Sequence, residues 1–176
     1  IQVDETLEAM QGVVEAGAVK SIGVSNFPIT AMREVQAVEA KQGIVVSVNQ
    51  VEFHPLLFQQ ELLEFCRAQE TVVTAYSPLA RGRALRHETV QEIATQRSVA
   101  PAQVVLAWLL HHRLVAVPKA ASRKHLEENI AACRLALTPG ELLQLDNIRE
   151  EERLIAPSWA RFDEAVRAPV HNEPSQ

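Results

Sequence analysis

Four short apolar runs recur along the chain, at residues 19–25, 45–51, 72–76 and 114–117. They are rich in Val and Ile and alternate only weakly, which predicts parallel strands buried on both faces. Helical patterns fill the intervals. Asp4 is the predicted N-cap of the first, whose face carries Leu7, Met10, Val13 and Val14 and whose stop is Gly17. Ile29, Met32, Val35 and Val38 form a second stripe, and Leu62, Leu63, Phe65 and Cys66 a third. Val90 and Ile93 mark a shorter helix. Pro101 opens the next, which presents Val104, Val105, Trp108 and Leu109. Leu126, Ile130 and Cys133 continue the series. Thr138-Pro139-Gly140-Glu141 is a capping box ahead of Leu142, Leu145 and Ile148.

A strict alternation of strand and helix demands a parallel sheet with helices outside it. The interval before the fourth strand leaves room for a long loop around residues 80–88. Four parallel strands alone leave two open edges, which proteins normally cover or close. A closed (β/α)8 barrel needs eight strands and about 250 residues, against 176 here. Two readings follow: a small open doubly wound sheet, or the C-terminal half of a barrel. Either way residues 1–176 form one domain or part of one. The tail 151–176, with Pro157, Pro169 and Pro174, reads as a surface extension.

Composition narrows the partners. Hydrophobic residues make up 47% and charged residues 22%, as in a folded globular chain. Lys and Arg number 17 against 22 Asp and Glu, a net charge of −5, which disfavours general nucleic-acid binding. No apolar run reaches the roughly 18 residues of a membrane span. Two cysteines, Cys66 and Cys133, make no disulfide framework and suit a reducing cytoplasm. Both lie on apolar stripes and read as buried packing thiols. No His, Cys and carboxylate spacing matches a zinc site.

In parallel α/β folds, ligands bind at the C-terminal ends of the strands. Those ends are unusually polar here. The first closes on Ser25-Asn26-Phe27, the second on Asn49-Gln50-Val51-Glu52-Phe53-His54-Pro55, the third on Tyr76-Ser77-Pro78-Leu79 and the fourth on Pro118-Lys119-Ala120-Ala121-Ser122. Amide, hydroxyl and ammonium groups converging above an apolar sheet suit a polar, phosphate-bearing ligand. His54 reads as a hydrogen-bonded, loop-orienting residue, and Glu52 as a polar residue paired within the wall. Trp108 reads as core. His111 and His112 close a helix, where their charge suits the dipole.

The segments IGVSNF (22–27), VNQVEFHPLL (48–57), TAYSPLARG (74–82), APAQVVLAW (100–108) and VPKAASRKHLEENI (117–130) occur in that order. Together they resemble the aldo-keto reductases, and most closely the bacterial diketogluconate and small-aldehyde reductases. The resemblance implies a (β/α)8 barrel of which this chain is the C-terminal half. It implies hydride transfer from NADPH to a small or sugar-derived aldehyde or ketone. By the same resemblance, Ser25, Asn26 and Gln50 bind the nicotinamide carboxamide, and Tyr76 stacks on the ring. Ser77, Leu79 and Gly82 cover the pyrophosphate. Lys119, Ser122, Arg123 and His125 surround the adenosine 2′-phosphate, and Glu128 and Asn129 meet the adenine. Trp159 falls where the family's C-terminal loop lines the substrate pocket, and it serves either to touch substrate or to pack down.

Departures from the family bear on function. Close relatives carry Arg where this chain has His125, and often Ser where it has Ala120. A titrating ring replaces a permanent, fork-shaped cation, which leaves NADH use open beside NADPH. The family's catalytic Asp, Tyr, Lys and His fall upstream of Ile1, so no catalytic residue is assigned within this chain. The isolated chain is expected to be inactive and to need the N-terminal half of its barrel as partner. The alternatives are a non-catalytic cofactor-binding or structural protein of the same type, and a Schiff-base aldolase using Lys119.

Overall fold

The computed structural model describes residues 2–156. Among these residues seven α-helices and four strands follow in the order α1 (Val3–Glu15), β1 (Ile22–Ser25), α2 (Ile29–Gln42), β2 (Val46–Glu52), α3 (Gln60–Ala68), β3 (Val72–Tyr76), α4 (Glu88–Arg97), α5 (Pro101–His111), β4 (Val115–Ala116), α6 (Arg123–Ala131) and α7 (Pro139–Asp146), with two helices between β3 and β4. The loop after β3 is shaped by two short 3-10 turns, Ala80–Gly82 and Ala84–Arg86.

All strand pairs are parallel, in the order β1-β2-β3-β4. The register sets Ser25 beside Gln50, Gln50 beside Thr74 and Thr74 beside Val115. The polar ends of successive strands therefore line up along one rim. β1 is short and closely packed on β2. A Cβ added at Gly23 would lie 2.9 Å from the Val48 carbonyl oxygen and 3.0 Å from its Cβ, so only glycine fits there.

The two faces of the sheet differ. Val51, Phe53, Val73 and Ala75 point into the main core with Leu63, Val90, Val105, Trp108 and Leu109 from the helices. Val72, Val115 and Val117 on the other side remain 43, 50 and 54% exposed. A doubly wound sheet would carry helices over both faces. An exposed valine-rich inner face is instead what the filled interior of a closed barrel supplies. The open doubly wound reading is therefore set aside.

Aromatic packing seats α5 on the sheet. Trp108 is fully buried against Phe53 at 5.9 Å and Phe58 at 5.2 Å between ring centres, and its indole N–H donates to Asp146 at 2.7 Å. His112 reaches the same carboxylate at 2.8 Å, which ties α5 to α7.

Several expectations change in detail. α1 begins after Gln2, so Asp4 sits in its first turn rather than at the cap. Of its apolar face only Leu7 is buried. β1 starts at Ile22, three residues later than the apolar run, and Val19 is exposed. β4 is two residues long. α6 buries none of its residues: Leu126 and Ile130 point to solvent. Cys66 is a buried thiol as expected, whereas Cys133 is exposed, because a 3-10 turn at Ala132–Arg134 ends the helical period before it.

The capping box at α7 forms as read. The Thr138 N–H donates to Glu141 Oε2 at 2.6 Å and the Glu141 N–H to Thr138 Oγ1 at 3.3 Å. Glu141 also accepts both arms of Arg97, at 2.6 and 2.7 Å. The Arg97 hydrogen bonds outweigh burial and, with Thr138, hold the Glu141 carboxyl at about 2, below its usual 4.5. The folded-state value is depressed, so this stabilisation is present above pH 4.5 and is lost as the pH falls through about 2. Glu141→Gln is expected to destabilise at neutral pH, with the difference from the parent protein shrinking over that acid range. Urea unfolding at several pH values checks it.

Candidate functional site

The rim at the C-terminal ends of β1, β2 and β3 is held by a small hydrogen-bond network. Asn26 adopts a left-handed backbone, φ 58°, which Asn tolerates better than most residues. Its N–H donates to the Gln50 carbonyl at 2.9 Å, and the Ser25 hydroxyl donates to the same oxygen at 2.9 Å. The Tyr76 hydroxyl donates to Asn26 Oδ1 at 2.8 Å. Burial, together with the nearby Glu52 charge, raises the Tyr76 pKa against the pull of Arg153 and Asn26, which keeps the phenol a neutral donor.

Beneath these residues lies Asn49, fully buried. Its Nδ2 donates to the Phe27 carbonyl at 2.8 Å, and its Oδ1 accepts from the Phe27 N–H at 3.5 Å. Asn49 thus clamps the turn that presents Asn26. The sequence reading gave it no role, although a buried amide beside an apolar strand was the available signal.

Ser25 and Gln50 are exposed at this rim, and Asn26 and Tyr76 are half-buried. The network leaves chemistry unspent. The Ser25 hydroxyl has its hydrogen engaged and its lone pairs open, and the Gln50 side-chain amide is bonded to none of the described residues. Donors and acceptors of this kind around a half-buried aromatic ring fit a planar carboxamide-bearing ring.

The loop after Tyr76 is strained. Ser77, Ala80 and Arg81 have φ of 48°, 49° and 50°, and Gly82 follows at 88°. Only Gly82 suits that conformation without cost. Left-handed non-glycine residues cluster where a loop is shaped for a ligand. Leu79 and Ser77 are half-buried in the same turn.

The cationic group lies around the start of α6. Ser122 caps the helix, accepting from the His125 N–H at 3.2 Å. Lys119, Arg123, Lys124 and His125 are exposed. Arg123 pairs with Glu127 at 2.8 Å and Lys124 with Glu128 at 3.8 Å. Such exposed pairs are weak, so both cations stay available to an anion. Glu128 and Asn129 are half-buried one turn further on. Lys119 is exposed among the described residues, and the cations beside it suit phosphate binding at least as well as Schiff-base chemistry. Trp159 lies outside the described residues.

His54 and Glu52 are both fully buried and meet at 3.0 Å, as a loop-orienting histidine and a paired carboxylate were expected to. A depression of about 90 Å³ between α3, α5 and α7, lined by Phe58, Leu63, Arg67, His112 and Asp146, is well below the roughly 300 Å³ at which ligand pockets begin. The strand-end rim remains the candidate site.

The model of the Aldo/keto reductase family matches residues 2–150. The chain belongs to the aldo/keto reductase family. It is similar to glyoxal reductase of Bacillus subtilis, 34% identical over 85% of this chain and 53% of that protein. It is similar to glycerol 2-dehydrogenase (NADP(+)) of Saccharomyces cerevisiae, 33% identical over 90% of this chain and 52% of that protein. A crystal structure of a mutant of Gox0644 in complex with NADPH superposes with a TM-score of 0.80 at 34% identity, over 87% of this chain and 56% of that one. The chain therefore spans about half the length of these aldo/keto reductase relatives, and its four β/α units are part of a (β/α)8 barrel.

Proposed function

We propose that this aldo/keto reductase chain is the cofactor-binding half of an NADPH-dependent carbonyl reductase acting on small or sugar-derived aldehydes and ketones. The observation that carries the reading is the rim network, in which the Tyr76 hydroxyl, locked 2.8 Å from Asn26 Oδ1, holds an aromatic ring beside Ser25 and Gln50. When bound, the nicotinamide supplies a hydride for the carbonyl carbon. Ser25, Asn26 and Gln50 fix which face of the ring is presented, by pairing with its carboxamide. Tyr76 offers its ring as a stacking plane. Ser77, Leu79 and Gly82, in the loop after Tyr76, would cover the pyrophosphate. Lys119, Ser122, Arg123 and His125 take the 2′-phosphate at the start of α6, where the helix dipole also favours an anion, and Glu128 and Asn129 take the adenine.

The proton donor and its partners lie, on this reading, upstream of Ile1, in the half of the barrel that covers Val72, Val115 and Val117. By the family resemblance alone, Trp159 serves either to touch substrate or to pack down. The likeness to diketogluconate and small-aldehyde reductases favours a small or sugar-derived carbonyl, and the cytoplasm, rich in reduced nicotinamide cofactor, is the setting. NADH remains usable because His125 replaces a fixed cation.

His125→Arg in the full-length protein is expected to raise the NADPH over NADH preference by roughly five- to tenfold, since a guanidinium forks onto phosphate as imidazole does not. Fluorescence titration with both cofactors reads the ratio. An unchanged ratio removes His125 from the 2′-phosphate site.

A further inference from the structure

Glu52 carries a charge inside the rim. It ends β2 and stands in register beside Tyr76. Side chains alternate along a strand, so Glu52 shares a face with Gln50, two residues earlier. Tyr76 shares that face with Val72, whose side is the exposed, valine-bearing one. The carboxylate therefore belongs to the same side and the same strand end as the groups of the candidate site, one strand spacing (about 4.8 Å) from Tyr76 along the sheet.

The Glu52 side chain is fully buried, and donors keep its charge. Its Oε1 accepts from His54 Nε2 at 3.0 Å and from the Leu154 N–H at 2.8 Å, and its Oε2 accepts from the Ile155 N–H at 2.9 Å. Burial would raise the carboxyl, but these hydrogen bonds outweigh it and hold it below its ordinary value, so it is ionised. Residues 154 and 155, expected to belong to a surface extension, fold back onto the end of β2 instead.

His54 does not cancel that charge. Its Nδ1 has no hydrogen-bond partner among the described residues. A ring that donates from Nε2 keeps Nδ1 as a bare acceptor, whereas a second proton there would bury an N–H with nothing to receive it. A cation also lies in range: Arg153 is half-buried and donates to Gln59 Oε1 at 3.2 Å. Its field acts on Tyr76 against that of Glu52, and at the phenol Glu52 has the larger effect. The balance there is negative.

We infer that Glu52 is a positioning residue for charge: its buried carboxylate, on the face and at the strand ends where Gln50 and Tyr76 would hold the nicotinamide, makes the rim bind the oxidised ring more tightly than it otherwise would. The inference rests on the cofactor reading above. Giving a hydride to a carbonyl carbon breaks a ring C–H bond, takes both its electrons and leaves the ring one positive charge richer. A fixed negative charge in a rim shielded from water stabilises that oxidised form more than the reduced one. Glu52 exchanges no proton or electron; it acts through its field, in the direction of carbonyl reduction.

The test measures Kd for NADP+ and for NADPH by titration of the full-length protein and two variants. Glu52→Gln keeps the shape and removes the charge, and the ratio of the NADP+ Kd to the NADPH Kd is expected to rise about fivefold. Arg153→Met keeps the apolar stem and removes the opposing charge, and the same ratio is expected to fall about twofold. Loosening of the rim alone would weaken both cofactors together and leave the ratio at its parent value in each variant. A parental ratio in folded Glu52→Gln, or a shift in the same direction in both variants, overturns the inference while the reductase reading stands. If Glu52→Gln fails to fold, Arg153→Met decides: a lower ratio supports the inference and a parental or higher one overturns it. A parent protein that binds neither cofactor form overturns the reductase reading, and this inference with it.

Discussion

Lys119→Ala in the full-length protein is expected to weaken NADPH binding by about tenfold to a hundredfold and to leave NADH binding within about twofold. The ammonium is exposed beyond β4 and ahead of the α6 N-terminus, and it pairs with none of the described carboxylates. Arg123 and Lys124 each have a glutamate one turn away, whereas Lys119 is paired with none of the described carboxylates. A charge-assisted hydrogen bond to phosphate is worth about 1.5–3 kcal/mol, and each 1.4 kcal/mol is about tenfold in Kd. NADH lacks the 2′-phosphate and should not register the loss. Parallel titrations of the two cofactors decide it. Equal weakening of both would place Lys119 elsewhere in the site.

Asn49→Ala is expected to have the largest effect on stability. Asn49 is fully buried, and it satisfies both the N–H and the carbonyl of Phe27. Alanine would leave two backbone groups unpaired and a small void, a cost of about 2–3 kcal/mol. For a barrel of the full length this lowers Tm by roughly 5–10 °C. The variant should also lose cofactor affinity, because the turn it frees carries Asn26, the acceptor for Tyr76. Calorimetry and NADPH titration of one sample check both parts. A normal Tm with normal binding would show that the turn holds itself.

The contrast between Asn49 and Gln50 shows what the sequence made legible. The strands, their parallel order and the polar character of their ends follow from apolar runs bounded by Asn, Ser and Lys. Which of two adjacent amides is exposed at the rim and which is buried beneath it depends on the pleat, and β2 carries a register irregularity opposite Ile22/Gly23. Local alternation could not place that irregularity. α6 misled for a different reason. Leu126 and Ile130 keep helical spacing, yet nothing within residues 2–156 covers them, so periodicity was right and burial was not. The long-range hydrogen bonds of Glu52 were least legible. Its partners Leu154 and Ile155 are about a hundred residues away and contribute only backbone N–H groups, and no side-chain pattern records such a contact. Glu52 and His54 were recognisable as a buried pair, but what they hold was not.

On the function proposed above, the polar rim of this sheet is a nicotinamide cofactor site serving carbonyl reduction. Equilibrium titration of the full-length protein with NADPH, followed by addition of a small aldehyde to the complex, tests it most directly. Saturable one-to-one binding and aldehyde-dependent oxidation of the cofactor are expected, with binding weakened by Lys119→Ala. Absence of saturable NADPH binding by the folded full-length protein would contradict it.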